Sequence, residues 1–509
     1  MHQLHRRPKF LVQSSRHHRR RGLRFHPCHP LNDRTQKCWS KCRPQRWLPT
    51  ARGCSTPNSG ELITNASRLW LVNGNWLDLT DSRMQQVLTA MNTVLSETAC
   101  CWLRIRRSVW ERTLRQLVSQ PNAWASGGLR REGAHNELLL LADDLQLTTT
   151  TPTGLQRPPL DDWLALMYSD GHFPAADQLL ALLQPRAAQV LVVLVLDRQH
   201  PDRCLLCSFT NGRTVAVELC EISGTGMLQL RASVPTATSR AEDLRRSSRT
   251  RGALGTELHD RLRRSIVTVV GAGRSGSQLC FLLAGLGVGR LRLIDADVLL
   301  PENLDGMPGL TYDDLYLNKA AVLARRLTAF QPELSVTCVE HQLPTREAAA
   351  YLLRPCSLMV STVDNDAARL AVSLLANRTL TPHLDIGTLV RLDSQGRPSL
   401  FADVRLLLPG SCVSCVGGLA DPDAAYYALN APDGSLQRGA PVDWSVQRAG
   451  SLVHLNTLAC SLGVELWLRL LRGEIESWWQ RVAWEAAGEL HMTGTAVAGQ
   501  GTCELCRGR

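Results

Sequence analysis

The sequence predicts an α/β protein. A doubly wound, mostly parallel sheet fills the C-terminal half, a smaller α/β or α+β domain precedes it, and a disordered basic tail stands in front. Three observations carry this reading. From Ser265 onward apolar strands alternate strictly with amphipathic helical stretches, and a glycine-rich turn follows the first of those strands. The chain, at 509 residues, is also too long for one ordinary core. The expected boundaries are 1–60 for the tail, 61–240 for the N-terminal domain and 241–509 for the C-terminal domain.

The net charge of +11 belongs to the tail. Residues 1–53 hold 14 Lys and Arg, six histidines and one acid, Asp33, whereas the remainder carries 43 basic and 45 acidic side chains. Its runs (RRPKF, HHRRR, KCWSKCRPQR) lack the hydrophobic periodicity that would offset the entropy of ordering. It reads as a disordered extension or an over-extended gene start, with a nucleic-acid or anionic-surface arm as the alternative. A zinc knuckle from Cys28, Cys38, Cys42 and Cys54 would have no standard spacing. The sequence has neither an 18-residue apolar run nor a recognisable export signal, so a soluble, cytoplasmic protein without membrane contact is expected. Seventeen cysteines in such a chain argue for thiols and metal rather than disulfides.

In the N-terminal domain LWLV and WLDL read as strands and SRMQQVLTAMNTVL as a helix; ELLLLADDLQL and QVLVVLVLD read as buried strands. PTGLQRPP and TATSRAEDLRRSSRTRGALG have linker composition. Then SIVTVV is a buried strand, SGSQLCFLLAGLG a helix ending on glycine, and RLRLIDAD the next strand. NKAAVLARRLTAF, REAAAYLL and DAARLAVSLLANRT are helices separated by the strands VTCVEHQL and SLMVSTVD, before PHLDIG. This spacing implies a Rossmann-like sheet with its ligand beyond the carboxyl ends of the strands.

The first turn, within VVGAGRSGS, identifies the ligand class. Gly271 permits the tight turn, Gly273 lets backbone approach phosphate, and Gly276 lets the helix pack on the strand. The helix N-terminus offers free N–H groups to phosphate oxygens. Asp295, at the end of the second strand, is placed to grip ribose hydroxyls. The glycines alone leave NAD and an NAD-dependent oxidoreductase open. Past Lys41 every Lys or Arg but one is arginine; the exception, Lys319, suggests a site that needs a compact ammonium.

The run GLGVGRLRLIDADVLLPENLDG, followed by that lysine and by STVDNDAAR, resembles the ThiF/MoeB family, whose fold is shared with ubiquitin-activating enzymes. The resemblance covers roughly residues 245–509. It implies ATP rather than NAD, and an adenylyltransferase acting on the C-terminal carboxylate of a small ubiquitin-like or sulfur-carrier protein or a peptide. It further implies Lys319 on the phosphates, Asn303 as a polar contact to the nucleotide, and Asp364 holding Mg²⁺, with Asp297 and Asn365 in support. Each has an ordinary alternative: a strand-end aspartate often caps a helix, and a helical lysine is often a solvated charge. A homodimer is expected by resemblance only.

One departure stands out. The family writes N-L-x-R after the second strand, its arginine lying against the phosphates, whereas this chain has NLDG with Gly306 in that place. Arg246 and Arg249 resemble the arginines that this family supplies from a partner subunit and are candidates to compensate. A binding scaffold that has lost turnover is the rival reading.

Cys412-x-x-Cys415 and Cys503-x-x-Cys506 have the spacing of a closed structural zinc site, and similar knuckles recur in the family. Cys204 and Cys207 read as core thiols in a strand. Family members that form thioesters carry a cysteine after the first knuckle, but the next one here is Cys460, within a helix and expected in the core. Finally, YSDGHFPAAD has the outline of a JAB-type metal motif in which Tyr168 and Asp170 replace histidines and only Asp177 is kept. A degenerate JAB-like binding domain and an unrelated recognition domain are both expected readings of residues 61–240.

Overall fold

The computed structural model describes residues 245–429 and 450–499 apart from 487, together with Cys503, Leu505 and Cys506. Ahead of these it describes 70–71, 99–120, 124–134, 137–148, 162–169, 190–197, 204–210, 215–224 and 226–231. The basic tail and its cysteines, the SRMQQVLTAMNTVL stretch, Asp170, Asp177 and residues 430–449 between the C-terminal cysteine pairs lie outside the described residues, as do the side chains of Tyr168, Cys204 and Cys207.

The first layer comprises β1 (Trp70–Leu71), β2 (Ala99–Arg106), α1 (Arg107–Ser119), β3 (Trp124–Ala134), β4 (Glu137–Ala142), β5 (Gln146–Thr148), β6 (Asp162–Ser169), β7 (Val190–Asp197), β8 (Cys204–Thr210), β9 (Val215–Ser223) and β10 (Leu228–Arg231). Among the described residues they form one mixed sheet in the order β1-β8-β7-β6-β3-β4-β2-β9-β10, with β5 paired to β3. The apolar run of β4 has a simple cause, since both of its faces are covered. Leu138, Leu140 and Ala142 pack with Val109, Trp110 and Leu117 of α1, whereas Leu139 and Leu141 pack towards the second sheet and its helices.

The second layer begins with α2 (Ser248–Leu254) and α3 (Thr256–Arg264). This corrects the sequence reading, which treated the Arg/Ser-rich run as linker. Leu254 packs on the core and Gly255, at φ +81°, turns the chain between the two helices. There follow β11 (Ile266–Val270), α4 (Arg274–Leu286), β12 (Arg290–Ile294), 3₁₀ segments at Pro301–Gly306 and Tyr312–Asp314, α5 (Lys319–Phe330), β13 (Ser335–Val339), α6 (Arg346–Leu352), β14 (Leu358–Ser361), α7 (Asp366–Arg378), β15 (His383–Leu392), β16 (Pro398–Leu407), α8 (Pro422–Leu429), α9 (Val453–Arg472), β17 (Trp478–Trp484) and β18 (Leu490–Ala496). The sheet order is β13-β12-β11-β14-β15-β16-β17-β18, parallel as far as β15 and antiparallel after it. The parallel part is the doubly wound arrangement expected, with its switch point beside β11, where β12 and β14 diverge. The antiparallel extension was not expected. No helix among the described residues is long and apolar enough to cross a membrane.

The two layers meet through a buried ion pair. Arg104 and Glu221, both fully buried, are bonded to each other across β2 and β9. The Arg104 guanidinium also donates to the Thr379 carbonyl at 2.8 Å, to Thr381 Oγ1 at 2.7 Å and to the Cys356 carbonyl at 2.9 Å, all in the second layer. Ser223 adds a bond from its hydroxyl to the Leu380 carbonyl.

Candidate functional site

The carboxyl edge of the parallel strands gathers segments that lie far apart in sequence. Gly271 leaves β11 with φ +96°, and a Cβ added to it would come within 3.0 Å of the Thr362 carbonyl oxygen, so the glycine turn lies on the loop that follows β14. Thr362 Oγ1 donates to the Gly271 carbonyl at 2.7 Å and fixes that contact. A Cβ on Gly276 would run into the Gly271 carbonyl oxygen and sit 2.9 Å from Thr362 Oγ1, which leaves no room for alanine. Around the Cβ position of Gly273, by contrast, the space is open. The free first-turn amides of α4 therefore face a gap beside Gly273, as a phosphate cradle requires.

Asp295, directly after β12, closes one side. Its carboxylate accepts from the amide of Ala272 in the glycine turn at 2.6 Å and from the amide of Asp297 at 2.8 Å. Burial is the largest influence on this carboxyl and raises its pKa, although the two amides and Lys319 oppose it. Asn318 caps α5 through the Ala321 amide and donates its own amide to the Asp295 and Asp297 carbonyls. Lys319 begins α5 with its ammonium 3.1 Å from Asp297 Oδ2. The lysine side chain is only 12% exposed against 63% for Asp297, so the ammonium is held rather than waving in solvent.

Of the remaining candidates, Asp364 is exposed two residues beyond Thr362. Asn365 caps α7, its Oδ1 accepting from the Ala368 amide at 2.7 Å. Asp366 pairs with Arg369 at 3.2 Å and accepts from the Ala420 amide. Among the described residues, Asp364 is thus the carboxylate of this run that neither a cap nor an arginine occupies, and one carboxylate beside phosphate oxygens suits Mg²⁺. Asn303 spends its Oδ1 on the Leu300 amide, 2.9 Å away, within its own 3₁₀ turn. Arg246 bonds the Phe330 carbonyl at the C-terminal end of α5, the edge opposite the glycine turn, and Arg249, the second residue of α2, is exposed. Arg246 therefore stays clear of the site of its own chain.

Beneath the mouth lies a buried polar group that the sequence reading missed. Ser361 Oγ donates to Asp385 Oδ1 at 2.7 Å and lies 2.8 Å from His383 Nε2, and Asp385 also receives Arg369 and Arg405. Burial would raise the Asp385 pKa, but Arg369 and the other cations hold it at about 2, while burial pushes His383 down to about 4. One signal was available: Asp366 and Arg369 stand three apart on a helix. The pairing with β15 was not readable.

The four cysteines expected to hold zinc do come together. Their sulfurs all lie within 4.8 Å of one another, with Cys412–Cys503 at 3.7 Å and Cys415–Cys506 at 3.9 Å. Tetrahedral zinc with bonds of about 2.3 Å sets its sulfurs about 3.8 Å apart, so the set fits. The Asn377 amide reaches the Ser411 carbonyl and ties this cluster to the C-terminal end of α7, away from the glycine turn. Cys460 is buried in α9, donates to the Ser275 carbonyl, and has its pKa pushed up to about 12 by burial. It is core, as expected.

Residues 246–462 match the sequence model of the ThiF family. A sulfur carrier protein adenylyltransferase of Thermus thermophilus is 32% identical over 34% of this chain and 62% of its own length. A ubiquitin-like modifier-activating enzyme 5 of Aedes aegypti is 27% identical over 48% of this chain and 63% of its own. The chain thus spans about three-fifths of the length of these curated relatives. Among solved structures, E. coli MccB with ATP aligns over 54% of this chain and 76% of that one, at 18% identity and a TM-score of 0.39.

Proposed function

We propose that residues 241–509 form an ATP-dependent adenylyltransferase that activates the C-terminal carboxylate of a ubiquitin-like, sulfur-carrier or peptide substrate as its acyl-adenylate. The observation that carries this reading is the convergence at one sheet edge of the glycine turn, Asp295, the Asp297–Lys319 pair and the Thr362–Asp364 loop. The names of the curated relatives support the kind of substrate.

In this reading the substrate carboxylate attacks the α-phosphate of ATP and the bond to the β-phosphate breaks, releasing pyrophosphate. Asp295 accepts from the ribose hydroxyls, and the amides at the start of α4 together with Lys319 balance the phosphate charge. Asp364 would hold Mg²⁺, which supplies charge neutralisation on the phosphates. The cysteine cluster would hold zinc as a closed structural site, and no thioester forms on Cys460, whose thiol is buried. A homodimer would let Arg246 and Arg249 serve a neighbouring site, and residues 61–240 would form the recognition domain.

A second reading is favoured by Gly306, which lacks the side chain of the N-L-x-R arginine: the chain binds nucleotide without turnover. Pyrophosphate exchange into ATP separates the two, run with candidate proteins ending in Gly-Gly beside Lys319→Ala. Exchange that disappears in the variant supports adenylylation. ATP binding without exchange for any candidate supports the scaffold, and binding of NADH but not ATP overturns both.

A further inference from the structure

We propose that Arg274 supplies the phosphate-binding guanidinium that position 306 does not, so that Arg274 and Lys319 grip the triphosphate from opposite sides of the glycine turn. The inference rests on the ATP reading of the site.

Arg274 is the first residue of α4 and adjoins Gly273, where the space is open. Its side chain turns across the 3₁₀ segment Pro301–Gly306. A Cβ on Gly306 would lie 2.8 Å from Arg274 Cγ, 2.9 Å from its Cδ and closer still to its Nε. Gly306 is buried, and its backbone lies outside the left-handed region that favours glycine. The backbone therefore does not demand glycine at 306; the Arg274 side chain does. Any side chain at 306 would displace Arg274 from the place it holds, and one guanidinium can reach this corner from either address.

Arg274 is no solvated surface arginine. Its side chain is 20% exposed, it pairs with the Asp305 carboxylate, and it donates to the Ser451 carbonyl at 2.7 Å at the start of α9. Burial lowers its pKa. Each of the two cations beside the glycine turn thus carries one exposed carboxylate, Asp305 at 75% and Asp297 at 63%. Such carboxylates give way to a phosphate oxygen at little cost in desolvation, and the arginine fork suits two phosphate oxygens at once.

Calorimetric titration of the full chain with ATP and with adenosine, both in Mg²⁺, tests this. Arg274→Ala is expected to weaken ATP about ten- to hundredfold while leaving adenosine unchanged, because only the phosphate contact is lost. Arg274→Lys should fall between, keeping the charge without the fork. Gly306→Arg alone should weaken ATP through the collision, and Arg274→Gly combined with Gly306→Arg should restore it to within a few-fold of wild type. Arg274→Ala binding ATP as well as wild type, or better, overturns the inference, and so does a double variant no better than the single ones. A wild-type chain that binds no ATP refutes the underlying reading of the site, and does so before any substitution is made.

Discussion

Arg104→Leu isolates what joins the two layers. The substitution leaves the Glu221 carboxylate fully buried with Gln229 Nε2, at 2.8 Å, as its remaining hydrogen-bond donor. It also strips one donor each from the Thr379 carbonyl, Thr381 Oγ1 and the Cys356 carbonyl. Breaking a buried pair from one side costs about 3–5 kcal/mol, since the surviving charge stays buried without its partner. The orphaned acceptors belong to the same environment, so their cost overlaps with this figure. The expected loss is therefore about 4 kcal/mol of unfolding free energy, read by urea denaturation of the full chain with a far-ultraviolet signal. Glu221→Leu added to Arg104→Leu removes the stranded charge and should recover most of the loss, because apolar side chains replace buried pairs well. A single variant costing less than about 1 kcal/mol, or a double variant worse than the single, would refute the electrostatic account of the junction.

Other perturbations have equally definite outcomes. Gly276→Ala must push α4 away from the Gly271 carbonyl, so ATP affinity should fall more than about tenfold with a loss of about 1–3 kcal/mol in stability; unchanged affinity would show that the glycine turn holds no phosphate. Cys415→Ser should lower the zinc content measured by inductively coupled plasma spectrometry and lower Tm, yet leave ATP affinity close to wild type in protein that stays folded; zinc-free wild-type protein would refute the site. His383 is held neutral by burial, its pKa at about 4 against an ordinary 6.5. Between those values the unfolded chain takes up a proton that the folded one does not, so stability falls as pH falls through that window, by up to roughly 3 kcal/mol. His383→Gln should flatten this limb of a stability-versus-pH curve. Asp385, depressed to about 2, should add its own loss only below about pH 4.

The parallel half of the second sheet was legible because each of its elements states its own kind. Ile266 to Val270 are buried throughout and apolar but for Thr268, as a strand covered on both faces requires, and Asn318, Thr345 and Asn365 stand where helix caps belong. Two regions were harder. In β15 the burial fades from His383 towards Leu392, so its second half looks like loop, and its partner β16 gains meaning only from that pairing. The Arg/Ser-rich run before β11 has linker composition, yet Leu254 packs on the core and Arg246 stacks over Phe330, some 80 positions away. Composition cannot report such a partner.

At the site the same division holds, with a sharper consequence. Gly271, Gly273, Gly276, Asp295 and Lys319 were readable because each needs only its own local geometry: a turn, a strand end, a helix start. The Asp385 group was not, since Ser361, Arg369 and Arg405 reach it from three different elements. Gly306 shows why a motif read along the chain can mislead. Along the sequence, glycine in the place of an arginine looks like a lesion, a cation missing from a site that must balance four phosphate charges. In space the same glycine is what Arg274, 32 positions earlier, requires in order to lie across the 3₁₀ segment. A substitution that removes a charge at one position and makes room for the same charge from another cannot be judged position by position. The arginine lost from the motif and the arginine gained in the glycine turn have to be tested as a pair, because a side chain at 306 would displace Arg274 from the place it holds.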